Sequence, residues 1–358
     1  MSGSTYTFEI EQISLPESID APDAGDFVRS TAVASVVETI TFGTPDIVYE
    51  AAETLAHWRD PHSPFTMYVA RVEGDIVARA TIETNAGETD TSWLMVQVLP
   101  EFRGRGIGTA LAERVEQKMR DEGKKKAISY VGGTDLGGER LTSPTGFGSI
   151  AVDSRETRFL QSRGYRFEQV ERMSRLALPM AGLDEKLRDA VAASGPEYRV
   201  HTWERRIPDR WIADMAVLIT RMSTDAPSAG LEEPEDVWTP ERLAEHDERI
   251  AREQPRTRLT AAAEHVPTGE LVAFSDLSVP PQSHRAAMQY ATLVRREHRG
   301  HKLGMLVKVA NLVQFATTYP GYPSILTFNA EENRHMLDVN EALGFVPIAY
   351  EGAWRKDL

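Results

Sequence analysis

The sequence predicts a mixed α/β (α+β) fold in two tandem domains. Three observations lead there. The chain has 358 residues, and at about 150 residues per domain that length suggests two. One local pattern occurs twice: VQVLPEFRGRGIGT from Val96 to Thr109, and TLVRREHRGHKLG from Thr292 to Gly304. Arg103 and Arg299 stand 196 residues apart, a repeat at domain scale. The order of expected elements around the two copies is also the same.

The first half opens with an alternating strand at 5–13, followed by helices near 25–40 and 46–59. A hairpin over 67–72 and 76–83 turns at Glu73-Gly74-Asp75. The strand at 91–98 feeds the first glycine turn. The helix after it carries Ile107, Leu111, Val115 and Met119 on one face and stops at Gly123. A short strand at 127–131 precedes a long Gly/Ser/Thr/Pro-rich loop, 132–149, of the kind that is usually functional or disordered. A helix at 157–163 and one long strand or a pair over 165–178 complete the half. Residues 179–197 read as a linker holding a polar helix, 183–193, and the break Ser194-Gly195-Pro196.

The second half repeats the order. A strand at 198–203 precedes helices at 209–222 and 239–253, and a hairpin spans 259–266 and 270–279. The strand at 286–294 feeds the second glycine turn, whose helix carries Leu303, Leu306, Val307 and Ala310 on one side. A strand at 324–329 and a helix at 331–343 end at Gly344-Phe345. The expected domains are therefore 1–178 and 198–358, joined by 179–197.

Composition narrows the function. Cysteine is absent, which excludes disulfides, thiolate metal sites and a thioacyl intermediate. The net charge is −14, unsuited to wrapping a nucleic-acid backbone; it favours a cationic small substrate, although plain solubility is the better reading of it. No apolar run approaches a membrane span, and Met1-Ser2-Gly3-Ser4 has no secretory pattern. A cytoplasmic location is expected, with no membrane partner. The histidines are scattered and no metal constellation stands out.

The glycine turns carry the chemistry. Glycine lets backbone approach a ligand, and a helix start offers unpaired N–H groups and a partial positive charge. Strand, turn and helix start together make a phosphate cradle. A dinucleotide-binding fold would place its glycines after the first strand of a βαβ unit; here they follow a hairpin. A P-loop would end in Gly-Lys-Ser/Thr, whereas these turns end in Gly108-Thr109 and Gly304-Met305. What remains is a pyrophosphate held by amides and cations.

On these residues each half resembles the GNAT superfamily of acetyl-CoA-dependent N-acetyltransferases. The family pattern Arg/Gln-x-x-Gly-x-Gly/Ala is met in full by Arg103-Gly104-Arg105-Gly106-Ile107-Gly108. Arg299-Gly300-His301-Lys302-Leu303-Gly304 departs from it, with Lys302 in place of the middle glycine. Asn329, Asn333 and Leu343-Gly344-Phe345 match the family's later motif, and the whole chain is similar to tandem members of the mycothiol-synthase-like type. The resemblance implies, in each half, a mixed, mostly antiparallel sheet of about six to seven strands flanked by about four helices. It implies acetyl-CoA as co-substrate without a metal. Cofactor contacts would come from both turns, from Val96, Val98, Thr292 and Val294 through their backbones, and from Asn329 and Asn333.

The family's usual acid, a tyrosine seven residues after that second asparagine, is replaced by Asn340, and by Leu160 in the first half. Its usual base, a glutamate early in the fourth strand, has no counterpart among Met288, Gln289 and Tyr290. In the first half Asp90 stands at the start of that strand. Asp276 is a candidate base acting through water, although a surface carboxylate is an equal reading. Tyr290 is a candidate acid, although a core tyrosine is the better reading. Asn333 suits a helix cap as well as a pantetheine contact. The expected catalytic set is Thr292, Asn333, Asn340, Tyr290 and Asp276, in the second half. Asp153 stands in the first half where that second asparagine would be.

The expected function is direct acetyl transfer to a primary amine of a small molecule, by a monomer or homodimer. The alternatives are a non-catalytic acyl-CoA sensor and a protein lysine acetyltransferase.

Overall fold

The structure, a computed structural model, describes residues 7–85, 87–133 and 137–358. The first two residues of the expected opening strand, and 134–136 of the expected long loop, lie outside the described residues. The chain forms two compact units. One comprises 1–170 with 229–233 and 349–358; the other comprises 171–228 and 234–348.

The first unit is built from β1 (Glu9–Ile13), α1 (Gly25–Phe42), α2 (Ala51–Trp58), β2 (Phe65–Val72), β3 (Asp75–Glu83), β4 (Thr91–Val98), α3 (Ile107–Asp121), β5 (Lys126–Gly133), β6 (Arg140–Thr142), β7 (Ser149–Ala151) and α4 (Arg155–Ser162). The first residues of β8 (Arg166–Ala177) close it. Its sheet runs β1-β2-β3-β4-β5, and the sixth strand comes from the far end of the chain, β14 (Val346–Asp357). β14 lies antiparallel to β5, Tyr350 opposite Gly133 through Asp357 opposite Lys126. β3 is buried on both faces, as a covered central strand must be. Ile107, Leu111, Val115 and Met119 of α3 pack on one face with Ala78, Ala80 and Val170. Phe27, Val37 and Leu55 of α1 and α2 pack on the other with Met67 and Val69.

The second unit holds the rest of β8, α5 (Leu183–Ser194), β9 (Tyr198–Glu204), α6 (Ile212–Asp225), α7 (Pro240–Glu253), β10 (Thr257–His265), β11 (Glu270–Val279), β12 (Ala287–Val294), α8 (Leu303–Thr318), β13 (Ser324–Ala330) and α9 (Arg334–Leu343). Its sheet order is β8-β13-β12-β11-β10-β9. Trp211, Met215, Leu218 and Leu243 cover one face; Leu303, Leu306, Val307 and Ala310 cover the other with Ala190 of α5. Compact units and chain halves are thus different divisions of this molecule, because the terminal strand of each half belongs to the other half's sheet.

The structure refines several expectations. The expected helix 46–59 starts later. Thr44 Oγ1 accepts from the Asp46 amide to shape a tight turn at Pro45–Ile47. α2 then begins behind a reciprocal cap between Glu50 and Glu53. The expected helix 209–222 is a tight turn at Asp209–Trp211 followed by α6. The expected loop 132–149 contains the hairpin β6–β7. The 165–178 stretch is one strand. The linker helix is α5, whose Ala190 and Leu187 join the second unit's core. β14 follows the Leu-Gly-Phe exit, where no strand was anticipated.

Candidate active site

Each sheet contains one parallel pair, and each opens like a wedge. β4 and β5 pair only over Thr91–Trp93 with Lys126–Ile128. β12 and β13 pair only over Ala287–Gln289 with Ile325–Thr327. Beyond those rungs the strands part, so Val96 and Val98, and Thr292 and Val294, lie on edges with no strand partner on that side among the described residues. Each parted strand runs into its glycine turn and then a helix start.

The two turns have the same backbone shape. Gly104 and Gly106 have φ of 75° and 86° and, at the corresponding places, Gly300 and Lys302 have 92° and 56°. Lys302 therefore holds the left-handed conformation glycine would take, and the turn is kept despite the substitution. Such a conformation costs a side-chain-bearing residue about 1–2 kcal/mol. No side chain caps α3 or α8, which leaves the first-turn amides directed at the turn. A Cβ at Gly104, Gly106 or Gly300 would meet nothing within 4 Å. These open cradles with uncapped amides fit a pyrophosphate-bearing ligand.

The motif arginines have a structural role as well. Arg103 Nε donates to the Val98 carbonyl at 2.8 Å, and Arg299 Nε to Val294 at 3.3 Å, tying strand end to turn. The Arg103 guanidinium lies 3.9 Å from Glu156, and Arg299 pairs with Asp225 at 2.9 Å. Arg105 faces the Phe102 ring at 5.5 Å. His301 packs against the Tyr198 ring at 5.1 Å, and His298 Nδ1 lies 3.1 Å from the Tyr198 hydroxyl. Burial, with His265 and Arg295 nearby, pushes His298 below the usual imidazole range.

The expected catalytic set falls into three places. Thr292 shares a hydrogen bond with Ser275 at 2.9 Å. Tyr290 is 57% exposed, which corrects its reading as core. The reason is a β-bulge: Ser275 opposes Thr292 and Leu277 opposes Gln289, leaving Tyr290 and Ala291 against the single residue Asp276. Gln289 stitches this bulge, donating from Nε2 to the carbonyls of Asp276 and Ala291. Asp276 is half-buried and accepts from Thr260 Oγ1, so it is not a free surface carboxylate. Desolvation raises its carboxyl above the usual range, against the opposing pull of Arg258 and Thr260. Asn333 caps α9, its Oδ1 accepting from the Met336 amide at 3.4 Å. Asn340 is buried and donates to Asn329 Oδ1 at 2.7 Å.

In the first unit the equivalent wedge is a cavity of about 60 Å³ lined by Leu94, Val96, Ala112, Ser129, Val131 and Phe159, among others. Glu116 lies at its floor, bonded by Lys356 at 2.7 Å and Arg163 at 3.1 Å. A cleft of about 340 Å³ runs from Arg103 past Gly132 to Ile40 and Trp354. Leu160 is core and Asp153 faces solvent, 3.7 Å from Arg158. Asp90 is paired with Lys125 at 2.9 Å.

Sequence reasoning passed over Gln289 as a stitch and did not notice Lys308, a buried lysine on α8. The only signal was a charge at an apolar-face spacing. Among the described residues, no group of three or more His, Cys, Asp or Glu could hold a metal ion, and no helix is long and apolar enough to cross a membrane.

A sheet with one splayed parallel pair above a glycine-led helix start defines a protein class, and comparison with known proteins names it. Residues 35–141 match the Acetyltransferase (GNAT) family. An acetyltransferase of Pectobacterium atrosepticum is 33% identical over 81 residues, covering 20% of this chain and 56% of that protein. The chain thus spans little more than half the length of that relative. A tandem GNAT protein from the clavulanic acid biosynthesis pathway is similar over 98% of both chains, at 23% identity and a TM-score of 0.71. A GCN5-related N-acetyltransferase from Sphaerobacter thermophilus is similar over 98% of this chain and 95% of its own, at 15% identity and a TM-score of 0.60. At these identities the structural likeness shows the fold: the chain has the tandem GNAT fold.

Proposed function

We propose that this chain is an acetyl-CoA-dependent N-acetyltransferase that acts on a primary amine of a small molecule by direct transfer. The observation that carries the reading is the wedge of parted parallel strands ending on an uncapped, glycine-led helix start, present in both units. Such a start suits a pyrophosphate, and strand edges without partners suit an amide-bearing pantetheine arm. We read 1–178 and 198–358 as the repeated domains and 179–197 as the linker of this duplication.

Catalysis is assigned to the second unit. The bulge at Tyr290–Ala291 is the supporting difference, since β3 and β4 of the first unit pair without a break. A bulge turns backbone groups out of the ladder, and an amide near Thr292 could then meet the oxyanion as the amine attacks. Asn329, Asn333 and Asn340 support the far wall. Asp276 would take the amine's proton through water. Holding both substrates in one wedge carries much of the rate.

The test is a screen of small amines with acetyl-CoA, following CoA release with a thiol reagent. The absence of cysteine keeps the protein silent in that assay. Turnover of small amines supports the reading. Acetylation confined to protein lysines would replace it with a protein acetyltransferase, and CoA binding without any turnover would replace it with a sensor.

A further inference from the structure

We propose that Lys308 is the proton donor to the departing CoA sulfur in the second unit. The proposal rests on the acetyl-transfer reading above. Lys308 is 2% exposed, and among the described residues its ammonium has no ion pair and no hydrogen bond. Its ammonium lies 5.7 Å from the centre of the Phe345 ring. A buried ammonium without a carboxylate partner costs several kcal/mol, and a fold keeps one only where something else gains by it.

Its position is set by the turns of α8 on either side. Four residues earlier, a Cβ at Gly304 would touch Val294 of β12 at 3.8 Å. Three residues later, Asn311 donates to the carbonyls of Leu259 and Ser275 at 3.0 and 2.7 Å. Residues at these spacings share one helix face, so Lys308 faces the sheet beneath the parted strands. Phe345, under the ammonium, is tied to Asn340 by its backbone amide at 3.0 Å. Asn340 Oδ1 is itself buried without a partner. The α8–α9 layer below the wedge therefore holds buried polar atoms without hydrogen-bond partners, among them Asn311 Oδ1 and Asn340 Oδ1. The internal repeat supports the placement: Ala112, 196 residues earlier, lines the first unit's wedge cavity. Where the first unit has empty space, the second has an amine.

Charged neighbours leave this amine alone. β12 and β13 carry no charged residue and α8 carries no other. Arg258 and Asp276 belong to the face of α7, where Arg258 bonds Asp247. On α9, Arg334 lies near Asp338 and Glu341 at the surface, with His335 beside them; α5 presents Asp184, Glu185, Lys186, Arg188 and Asp189. β9 and β10 end in Glu204 with Tyr319, and Glu264 with His201. Burial alone holds Lys308 down to about 7, below an ordinary thiol at about 8.5. Proton transfer from this ammonium to a thiolate is therefore downhill. In the step, the amine nitrogen bonds the acetyl carbon, the C–S bond breaks with its electron pair on sulfur, and Lys308 gives that sulfur its proton. The proton lost by the new amide nitrogen passes through water to Asp276 and from there to solvent, and water restores the ammonium.

The experiment uses the full chain labelled in its lysines, with the Lys308 signal identified by its loss in Lys308→Met. It is titrated alone, with CoA and with desulfo-CoA. A Lys308 midpoint that rises with CoA but not with desulfo-CoA supports the proposal. With any amine that turns over, Lys308→Met should lower kcat by about a hundredfold or more while KM for acetyl-CoA holds, and Lys308→Arg should fold but recover little. An identical Lys308 titration with both ligands, or an unchanged kcat in Lys308→Met, overturns it. If CoA binding is insensitive to Gly304→Glu, the acetyl-transfer reading of this unit fails and takes the proposal with it. Binding that is sensitive, beside an indifferent Lys308, sinks the proposal alone.

Discussion

Placing a carboxylate at the helix start of each wedge separates ligand binding from folding. Gly304 has an ordinary helical backbone, and a Cβ there would meet only Val294 Cγ2, at 3.8 Å. Gly108 is its counterpart, with Val98 Cγ2 at 3.5 Å. Both distances are ordinary contacts, so Gly304→Glu and Gly108→Glu should fold. Gly106 is the poorer target because its φ of 86° would strain any side chain. The new carboxylate would occupy the space where first-turn amides meet a pyrophosphate. Each charge-assisted hydrogen bond lost there is worth about 1.5–3 kcal/mol. Losing two costs about 3–6 kcal/mol, or on the order of 10²–10⁴ in Kd. Calorimetric titration of the wild-type chain should give two CoA per chain, each single variant one, and the double variant none. The activity should vanish with Gly304→Glu and survive Gly108→Glu. Unchanged stoichiometry in Gly304→Glu with its turnover intact would refute both the cradle and the assignment of catalysis.

Three further outcomes follow from particular contacts. Lys302→Gly should raise stability by about 1 kcal/mol, as relief of the left-handed strain outweighs glycine's added chain entropy; CoA affinity falls only if the Lys302 ammonium touches phosphate, and denaturant midpoints with titration read both. Arg172 forms a two-point pair with Glu331, at 2.7 and 3.0 Å, inside the second unit. Arg172→Met leaves that buried carboxylate short of its partner and should cost about 3 kcal/mol, lowering the thermal midpoint by about 6–12 °C. For Lys308 the folded value, about 7, lies below the ordinary 10.5. The unfolded chain therefore holds more protons between those values, and this group's contribution makes stability rise with pH across that window and level off below it. Lys308→Met should be more stable at neutral pH, by up to about 5 kcal/mol, and should lose that slope; parallel pH–stability curves for the two proteins would contradict the burial argument.

What the sequence by itself determined was local. Both glycine turns, their helices and the apolar stripe from Ile107 to Met119 are legible because each rests on neighbours within a few residues, where spacing and backbone freedom act directly. The duplication follows from the same local signals read twice. Even there, Lys302 looked like a departure from the pattern, and the backbone shows it adopting glycine's conformation. The tertiary structure alone decided what depends on distant pairing. β14 beside β5, and β8 beside β13, join residues more than a hundred positions apart, and no local pattern states which sheet an apolar strand will enter. The bulge that turns Tyr290 outward exists only because Asp276 has a single place against two residues of β12. Lys308 reads in the sequence as one lone charge among the apolar residues of a helix. It becomes a buried, unpaired amine only when α9 and the parted strands close over it, because burial is a property of the packed surroundings and not of the residue.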